Sequence, residues 1–145
     1  MRPRAPRSSF IAVRSGRVDR FCFNTVEYFV ISLQLIVAFG ILNVWTLRAG
    51  RSTPFRGGNA RSLREEFAAY GLPFWVMCVV GALKVGLAVA LIAAIWIHGV
   101  ARPAAIGLGL LMIGAFSMHL KVKDPVKKAL PSIAVLAMCA AIALL

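Results

Sequence analysis

The sequence is poor in acidic residues and in cysteine. Five Asp and Glu residues stand against 17 Lys and Arg, which gives a formal net charge of +12. The three cysteines, Cys22, Cys78 and Cys139, form no C-x-x-C pair. Two of them lie in apolar stretches, where a free cysteine is usually a small hydrophobic residue. The spacing argues against a disulfide framework and against a cysteine-based metal cluster, so we expect no metal site.

Charge is also missing from five long stretches, and this absence decides the class of protein. No Asp, Glu, Lys or Arg occurs in residues 28–47, 67–83, 85–101, 103–120 and 129–145. Only Lys84 separates the second stretch from the third, so the two together predict one helix with a single buried charge. Each of the four resulting segments is long enough, or nearly so, to cross a hydrocarbon core about 30 Å thick. With 60% hydrophobic residues and a mean hydropathy of +0.81, the chain is predicted to be a multi-pass integral membrane protein.

The basic residues lie just outside these stretches, where Lys and Arg bind anionic headgroups and influence topology. The lipid bilayer with its anionic headgroups is therefore the expected partner, and we do not expect nucleic acid. Both sides carry similar numbers of basic residues when the first 24 residues are counted, so the orientation stays open. Without those residues, the two long loops are predicted to lie in the cytoplasm.

Residues 1–24 are rich in Arg, contain Pro3, Pro6 and Gly16, and lack a sustained hydrophobic period. They predict a disordered basic tail before a four-helix membrane domain at 25–145. A second hypothesis places the start of translation near Val26. No cleavable signal peptide is expected, because the first apolar stretch is too long and no small-residue cleavage site follows it.

The predicted fold is all-α, an integral membrane up-down four-helix bundle. The spans are expected at about 25–47, 73–98, 103–120 and 125–145, with Asp124 as an N-cap and Pro131 as a kink in the last helix. Short connections require antiparallel neighbours. Between the first two spans, Ser62 and Glu65 have the spacing of a capping box, and Gly71 can end the helix that follows. This segment predicts a short amphipathic helix at the membrane surface.

Lys84 is the residue that most suggests chemistry. It lies 11 residues after Pro73 and 14 before His98, which predicts a position near the bilayer midplane. A lysine there costs roughly 2.5–3.5 kcal/mol and is normally paired or used. By depth its best partner is Gln34 of the first span. The alternative is a lysine that reaches toward water and has no chemical role.

Small residues at four-residue spacing follow the same helix: Ala82, Gly86, Ala90 and Ala94. Such a stripe is the usual close-packing face of a membrane helix. Lys84 lies about 160° away from it at 100° per residue. Two arrangements stay open: either Lys84 faces inward and the stripe meets lipid or another protomer, or the stripe packs inward and Lys84 is peripheral.

Two histidines are the next candidates. His98 and His119 close opposite ends of successive spans, roughly 30 Å apart, which excludes a haem held by both. His119 is close in sequence to Lys121, Lys123 and Asp124, which predicts a polar cluster at the interface. The alternative is a histidine that binds water or headgroups.

The turn at residues 56–59 (RGGN) precedes a helix start, where backbone N–H groups and Arg56 could bind an anion; a plain surface turn is the alternative. Glu65 and Glu66 are expected to form a charged lid with Arg61, Arg64 and the lysines of the last loop. No catalytic triad, phosphate loop, dinucleotide fingerprint or metal spacing occurs. The sequence therefore leaves enzymatic activity open and assigns no catalytic residue.

Taken together, several stretches resemble the DoxX-like family of small bacterial four-helix membrane proteins. The resemblance covers about residues 27–145. The stretches that carry it occur in the same order as in the family, and they are residues 53–58, residues 65–67, residues 70–73, Gly81 with Lys84, and residues 118–125 with Lys127, Lys128 and Pro131. The wider family takes its name from subunits associated with quinone-linked sulfur oxidation and terminal oxidase complexes. The resemblance thus implies a location in the bacterial inner (plasma) membrane, a membrane redox complex as a partner and quinone as a candidate ligand. No other cofactor is predicted.

Two hypotheses about function result. The first is an accessory or structural subunit of a membrane complex, or a homo-oligomer, that packs through the small-residue stripe. The alternative is a redox- or quinone-linked protein that binds a small apolar ligand near Lys84. Its candidate ligand- or proton-binding residues are Lys84, Gln34, Arg56, Glu66, Tyr70 and His119. Transport is disfavoured, because four helices without internal repeats or broken helices lack the usual transporter features.

Overall fold

The computed structural model describes the backbone of residues 8–145 and the side chains of residues 25–145. This part of the chain is helical and contains no strand. Its α-helices are α1 (Ser8–Leu42), α2 (Leu63–Ala69), α3 (Phe74–Ala93), α4 (Ala101–Lys121) and α5 (Val126–Leu144). A π-helical segment, Asn43–Leu47, continues α1, and a 3-10 turn, Gly57–Asn59, precedes α2. Four segments are long and apolar enough to cross a membrane: Thr25–Leu47, Phe74–Ala93, Ala101–Lys121 and Val126–Leu144. The all-α fold with four membrane-spanning helices is therefore confirmed.

The first helix starts earlier than the sequence predicts. α1 begins at Ser8, within the segment expected to be a disordered tail. Extending an existing helix costs little, and between Ser8 and Asn24 only Gly16 strongly disfavours helix. Residues 1–7 lie outside the described part of the chain, and the division into a tail and a four-helix domain stays a prediction.

The boundaries of the later helices also differ from the prediction. α3 ends at Ala93 rather than His98, and Gly99, with a φ of 87°, lies in the turn before α4. α4 starts two residues before Pro103, which its first turn tolerates because N–H groups there have no intrahelical partner. Pro125, not Asp124, occupies the N-cap of α5, because the Asp124 carboxylate binds other groups. α5 continues through Pro131.

The short helix between the first two spans is present as α2. Ser62 is its N-cap: the Glu65 N–H donates to Ser62 Oγ at 3.2 Å, as the capping-box spacing predicts. In a capping box the Glu65 carboxylate would accept from the Ser62 N–H. Here it accepts from the N–H of the preceding residue, Arg61, at 2.8 Å. Gly71 follows the helix with a φ of 76°, the left-handed conformation that glycine adopts without strain.

The four spans form a closed ring in the order α1, α3, α4, α5, since α1 contacts α3 and α5, and α4 contacts the same two helices. α4 and α5 approach closely at Gly109, where an added Cβ would lie 3.6 Å from Leu136 Cδ1 and 3.8 Å from Cys139 Cβ. Small residues at a helix contact are the usual means of packing in a membrane. Cys139 is buried in this core, as its apolar setting predicts.

Aromatic residues mark both ends of α3. Trp75 at its start is 66% exposed and Trp96 just past its end is 73% exposed. About 20 residues at roughly 1.5 Å each separate them by about 30 Å, the thickness of the hydrocarbon core. Exposed tryptophans at that spacing suit the two lipid–water interfaces. Because neighbouring spans are antiparallel, the loops before and after α2 and the α4–α5 turn lie at the same end of the bundle. We call this end the loop end.

Candidate functional site

Five polar side chains meet at the loop end and form what we call the polar cluster: Arg56, Glu66, Tyr70, His119 and Asp124. They come from the loop before α2, from α2 and the residue that follows it, from the end of α4, and from the α4–α5 turn. The first four are buried, and all four are candidates named from the sequence. The structure therefore brings together residues that are up to 68 positions apart in the chain.

Glu66 is the centre of one half of the cluster. Its Oε2 pairs with Arg56 Nη1 at 3.0 Å, and its Oε1 accepts from the Gly57 N–H at 2.8 Å and the Tyr70 hydroxyl at 3.0 Å. The other Arg56 donors reach backbone carbonyls: Nε donates to Arg51 O at 3.0 Å, and Nη2 donates to the carbonyls of Arg48 and Ala49. A buried ion pair needs such additional hydrogen bonds to offset desolvation.

Asp124 is the centre of the other half. Its carboxylate accepts from the Gly58 N–H at 3.2 Å, lies 3.0 Å from His119 Nδ1, and accepts from Lys128 Nζ at 3.3 Å. Burial by itself would raise the pKa of the Asp124 carboxyl. The hydrogen bonds from His119, Gly58 and Lys128 outweigh burial and hold that pKa below its ordinary value.

Tyr70 joins the two halves. Its Oη is 3.0 Å from Glu66 Oε1 and 3.4 Å from His119 Nδ1. The hydroxyl has one proton, which it donates to Glu66, and the His119 Nδ1–H faces the Asp124 carboxylate. This arrangement assigns a proton to His119 Nδ1, which donates it toward Asp124. Burial, and then the negative charge of Glu66, raise the pKa of the Tyr70 phenol, so it stays protonated.

The anion site expected at residues 56–59 is present, but its anions belong to the protein itself. The consecutive amides of Gly57 and Gly58 bind the carboxylates of Glu66 and Asp124. Gly58 has a φ of 59°, and a Cβ at Gly57 would overlap the Tyr70 ring, so both positions require glycine. The expected charged lid is not formed among the described side chains. Glu66 turns inward and pairs with Arg56, and Glu65 is exposed and has no ion-pair partner there.

Lys84 lies on the inward face of α3, with Gly81, Ala88 and Leu91. It is 9% exposed, and its Nζ lies over the Trp45 ring, 5.6 Å from the centroid. Among the residues with described side chains, its ammonium has no hydrogen-bond or ion-pair partner. A cation–π contact at this distance offsets only part of the cost of a buried ammonium.

The expected pairing of Lys84 with Gln34 is not formed. Gln34 is buried, and its Oε1 has no hydrogen-bond partner within the described part of the chain. The Trp45 ring packs against Gly81, where an added Cβ would lie 2.5 Å from Cζ3. The Lys84 ammonium instead faces the Trp45 ring, and Trp45 lies 11 residues, about three helical turns, beyond Gln34 in the first span. The prediction placed the two side chains at one depth, whereas Lys84 packs beside a residue nearer the loop end.

A groove of about 680 Å³ runs beside Trp45, between α2, the end of α1 and the first half of α3. Its lining is mostly apolar and includes Trp45, Leu63, Met77, Cys78, Gly81 and Val85. Arg64 and Ser62 also line it. Trp45 and Gly81 thus line the groove and also lie next to Lys84.

A row of rings connects this groove to the polar cluster. Trp45 is 6.2 Å from Phe67, Phe67 is 6.3 Å from Tyr70, and Tyr70 is 5.9 Å from His119, measured between ring centroids. Two of these pairs meet edge to face, the arrangement that the ring quadrupoles favour. Phe67 belongs to α2, and Tyr70 directly follows that helix. α2 therefore lies between the groove and the polar cluster.

Only the first half of the small-residue stripe faces away from the bundle. Ala82 and Gly86 are exposed, and a Cβ at Gly86 would meet nothing within 4 Å. Ala90 is half-buried against the core, and Ala94 lies just beyond the end of α3. Of the two arrangements left open by the sequence, the structure has the first for this half of the stripe, with Lys84 inward and Ala82 and Gly86 outward.

The sequence model of the DoxX-like family matches residues 33–142. The chain belongs to the DoxX-like family. The match includes Lys84, the stripe and the whole polar cluster, and with four helices able to span a bilayer it makes the protein a multi-pass membrane protein. No curated protein and no solved structure matches the chain.

The two histidines of this DoxX-like chain occupy different ends of the bundle. His98 lies in the turn before α4, and His119 lies near the end of α4 in the polar cluster. Among residues with described side chains, no group of three or more His, Cys, Asp or Glu is placed to hold a metal ion.

Sequence reasoning gave Asp124 two roles, as a helix N-cap and as a member of a polar cluster with His119. The structure has the second role and not the first. Sequence reasoning attached no role to Trp45, which it therefore missed. The spacing of His119, Asp124 and Lys128, at intervals of five and four, was the one local hint that these groups could meet.

Proposed function

We propose that this DoxX-like protein is a non-catalytic accessory subunit of a complex in the bacterial inner membrane. The observation that carries the proposal is the outward half of the stripe on α3, where Gly86 has open space above it. Exposed small residues let a second helix approach closely, and packing of this kind drives helix association in lipid. The opposite face of α3 already packs within the bundle. The partner is a subunit of a membrane redox complex or a second copy of the chain.

The test is to fill the open space above the stripe. Gly86→Leu places a bulky side chain at the proposed contact, and we expect at least a ten-fold loss of co-purified partner, about 1.4 kcal/mol. Gly114→Leu is the matched control, because Gly114 is also exposed on a spanning helix with nothing within 4 Å. Pull-down in mild detergent with mass spectrometry measures the partner. Equal recovery from both variants would refute the proposed contact.

A second candidate function rests on Lys84. The ammonium is buried in a span without an ion-pair partner among the described side chains, and it adjoins Trp45, which lines the 680 Å³ groove. A small apolar ring compound with a carbonyl oxygen, such as a quinone, would place its ring in the groove. Lys84 does not line the groove, so the carbonyl would reach the lysine donor past the Trp45 ring. α2 forms one wall of the groove and is held by the polar cluster.

Lys84→Met tests this candidate, because it removes the charge and keeps most of the side-chain volume. We expect quinone extracted from the purified protein, measured by mass spectrometry, to fall about ten-fold. Lys127→Met, at an exposed site, is the control. Protein purified in native nanodiscs without any quinone would rule the candidate out, whereas the accessory role would be unaffected.

A further inference from the structure

A second, smaller pocket lies beside the polar cluster, and we infer that it binds a phosphate group. The pocket measures about 230 Å³. The residues that matter in its lining are Ser52, Thr53, Arg56, Asn59, Arg61 and Lys128. They comprise three cationic side chains, two hydroxyls and one amide, and no carboxylate lines the pocket. A phosphate is recognised by several converging donors of this kind.

Part of the donor set is free to bind a ligand. Arg56 is committed to Glu66 and to backbone carbonyls. Lys128 donates to Asn59 Oδ1 at 2.8 Å and to Asp124, which leaves one ammonium proton. The Arg61 guanidinium and the hydroxyls of Ser52 and Thr53 have no hydrogen-bond partner among residues with described side chains. Arg61 and the two hydroxyls are therefore the groups that we expect to contact the phosphate.

The wall of the pocket is built before any ligand arrives. Arg56 is only 5% exposed and is fixed on several sides. The Lys128–Asn59 hydrogen bond ties the first turn of α5 to the loop before α2. Asn59 itself is left-handed, with a φ of 60°. A site that is already ordered loses less conformational entropy on binding.

The position of the pocket suits a phosphate at the lipid–water boundary. It lies in the loop end, outside the four spans. Apolar side chains of the same end, Phe55, Leu47 and Val126, are exposed and suit the adjacent hydrocarbon. A phospholipid headgroup and free phosphate both offer the required oxygens, and the lipid is the source that this depth favours.

The test uses the full chain and native mass spectrometry. Phosphatidylglycerol is the probe, and a galactosyl diacylglycerol, which lacks phosphate, is the lipid control. We expect one phosphatidylglycerol per chain and about ten-fold weaker retention in Arg61→Gln. Arg64→Gln is the matched control. It removes the same charge three residues away, but Arg64 lines the large groove and lies over the Phe74 ring at 5.2 Å.

Thr53→Val supplies a variant without charge change and should weaken retention less than Arg61→Gln. Equal losses in Arg61→Gln and Arg64→Gln, or equal retention of the two lipids, would overturn the inference, because binding would then reflect surface charge or apolar contact alone. A separate arm titrates inorganic phosphate. If it binds the unaltered chain but not Arg61→Gln, while phosphatidylglycerol binds both equally, the site is supported with free phosphate as its ligand.

Discussion

Glu66 shows what one buried charge does in this protein. Its carboxylate accepts from Arg56, the Gly57 amide and the Tyr70 hydroxyl at once. Removing one partner of such a pair leaves the other charge buried and uncompensated, which costs more than the pair contributes in net stability. Single-residue changes here should therefore act through the partner that is left behind.

Glu66→Gln is expected to lower the free energy of unfolding by about 3 kcal/mol, because it leaves the Arg56 guanidinium buried without a counter-charge. Glu65→Gln, one residue away and exposed, should change it by less than about 0.5 kcal/mol. Thermal unfolding in detergent compares the two. Similar stabilities of the two variants would mean that the Arg56–Glu66 pair is not buried as described.

Tyr70 predicts a pH dependence. Its folded pKa lies above its unfolded value, so its contribution is complete below about pH 10 and is lost as the pH rises further. Tyr70→Phe should be less stable than the unaltered protein by roughly 1–2 kcal/mol at neutral pH. This difference should shrink in alkaline solution above pH 10. The exposed Tyr28, changed to Phe, is the control. A difference that stays constant up to pH 11 would contradict the role given to the hydroxyl.

At the scale of elements, the two faces of α3 have different surroundings: one packs within the bundle and the other is exposed. The inward face places Gly81 against the Trp45 ring and carries Lys84, while the outward face carries Ala82 and Gly86. Apart from Lys84, the helix is apolar on every side, so its sequence could not reveal which face packs.

A pair of glycine substitutions measures this asymmetry. Gly81→Ala puts a Cβ 2.5 Å from Trp45 Cζ3, so the indole must move, and we expect a loss of about 1–3 kcal/mol in thermal unfolding. Gly86→Ala meets open space and should be neutral or slightly stabilising, because alanine favours helix more than glycine does. The opposite ranking would show that α3 is rotated relative to this structure.

At the scale of the whole molecule, the features that the sequence predicted correctly depend on residues that are close together in the chain. Four spans, the Ser62 cap and the Gly71 helix end follow from signals within a few residues. The polar cluster depends on contacts such as Gly58 with Asp124, which are 66 positions apart, and no local pattern encodes them. Gln34 was misplaced as a partner of Lys84 for a related reason: helix lengths do not fix how two helices slide past each other.

The bundle requires the two connections at the loop end to lie on one side of the membrane and residue 145 to lie on the other. In a chain without its native cysteines, Ser52→Cys and Leu145→Cys should react with a membrane-impermeant maleimide from opposite faces of sealed vesicles. Labelling of both from the same face would exclude the three crossings that separate residue 52 from residue 145.

The closed ring of helices also has a consequence for biogenesis. The ribosome delivers α1, α2 and α3 first, so the amides of Gly57 and Gly58 emerge long before Asp124. The gap between α1 and α4 remains until α5, which is made after α4, fills it. Lys128, in the first turn of α5, then reaches Asn59. Maturation of the loop end thus waits for the synthesis of the α4–α5 turn and the start of α5, and a ribosome stalled before them would leave that end unfinished.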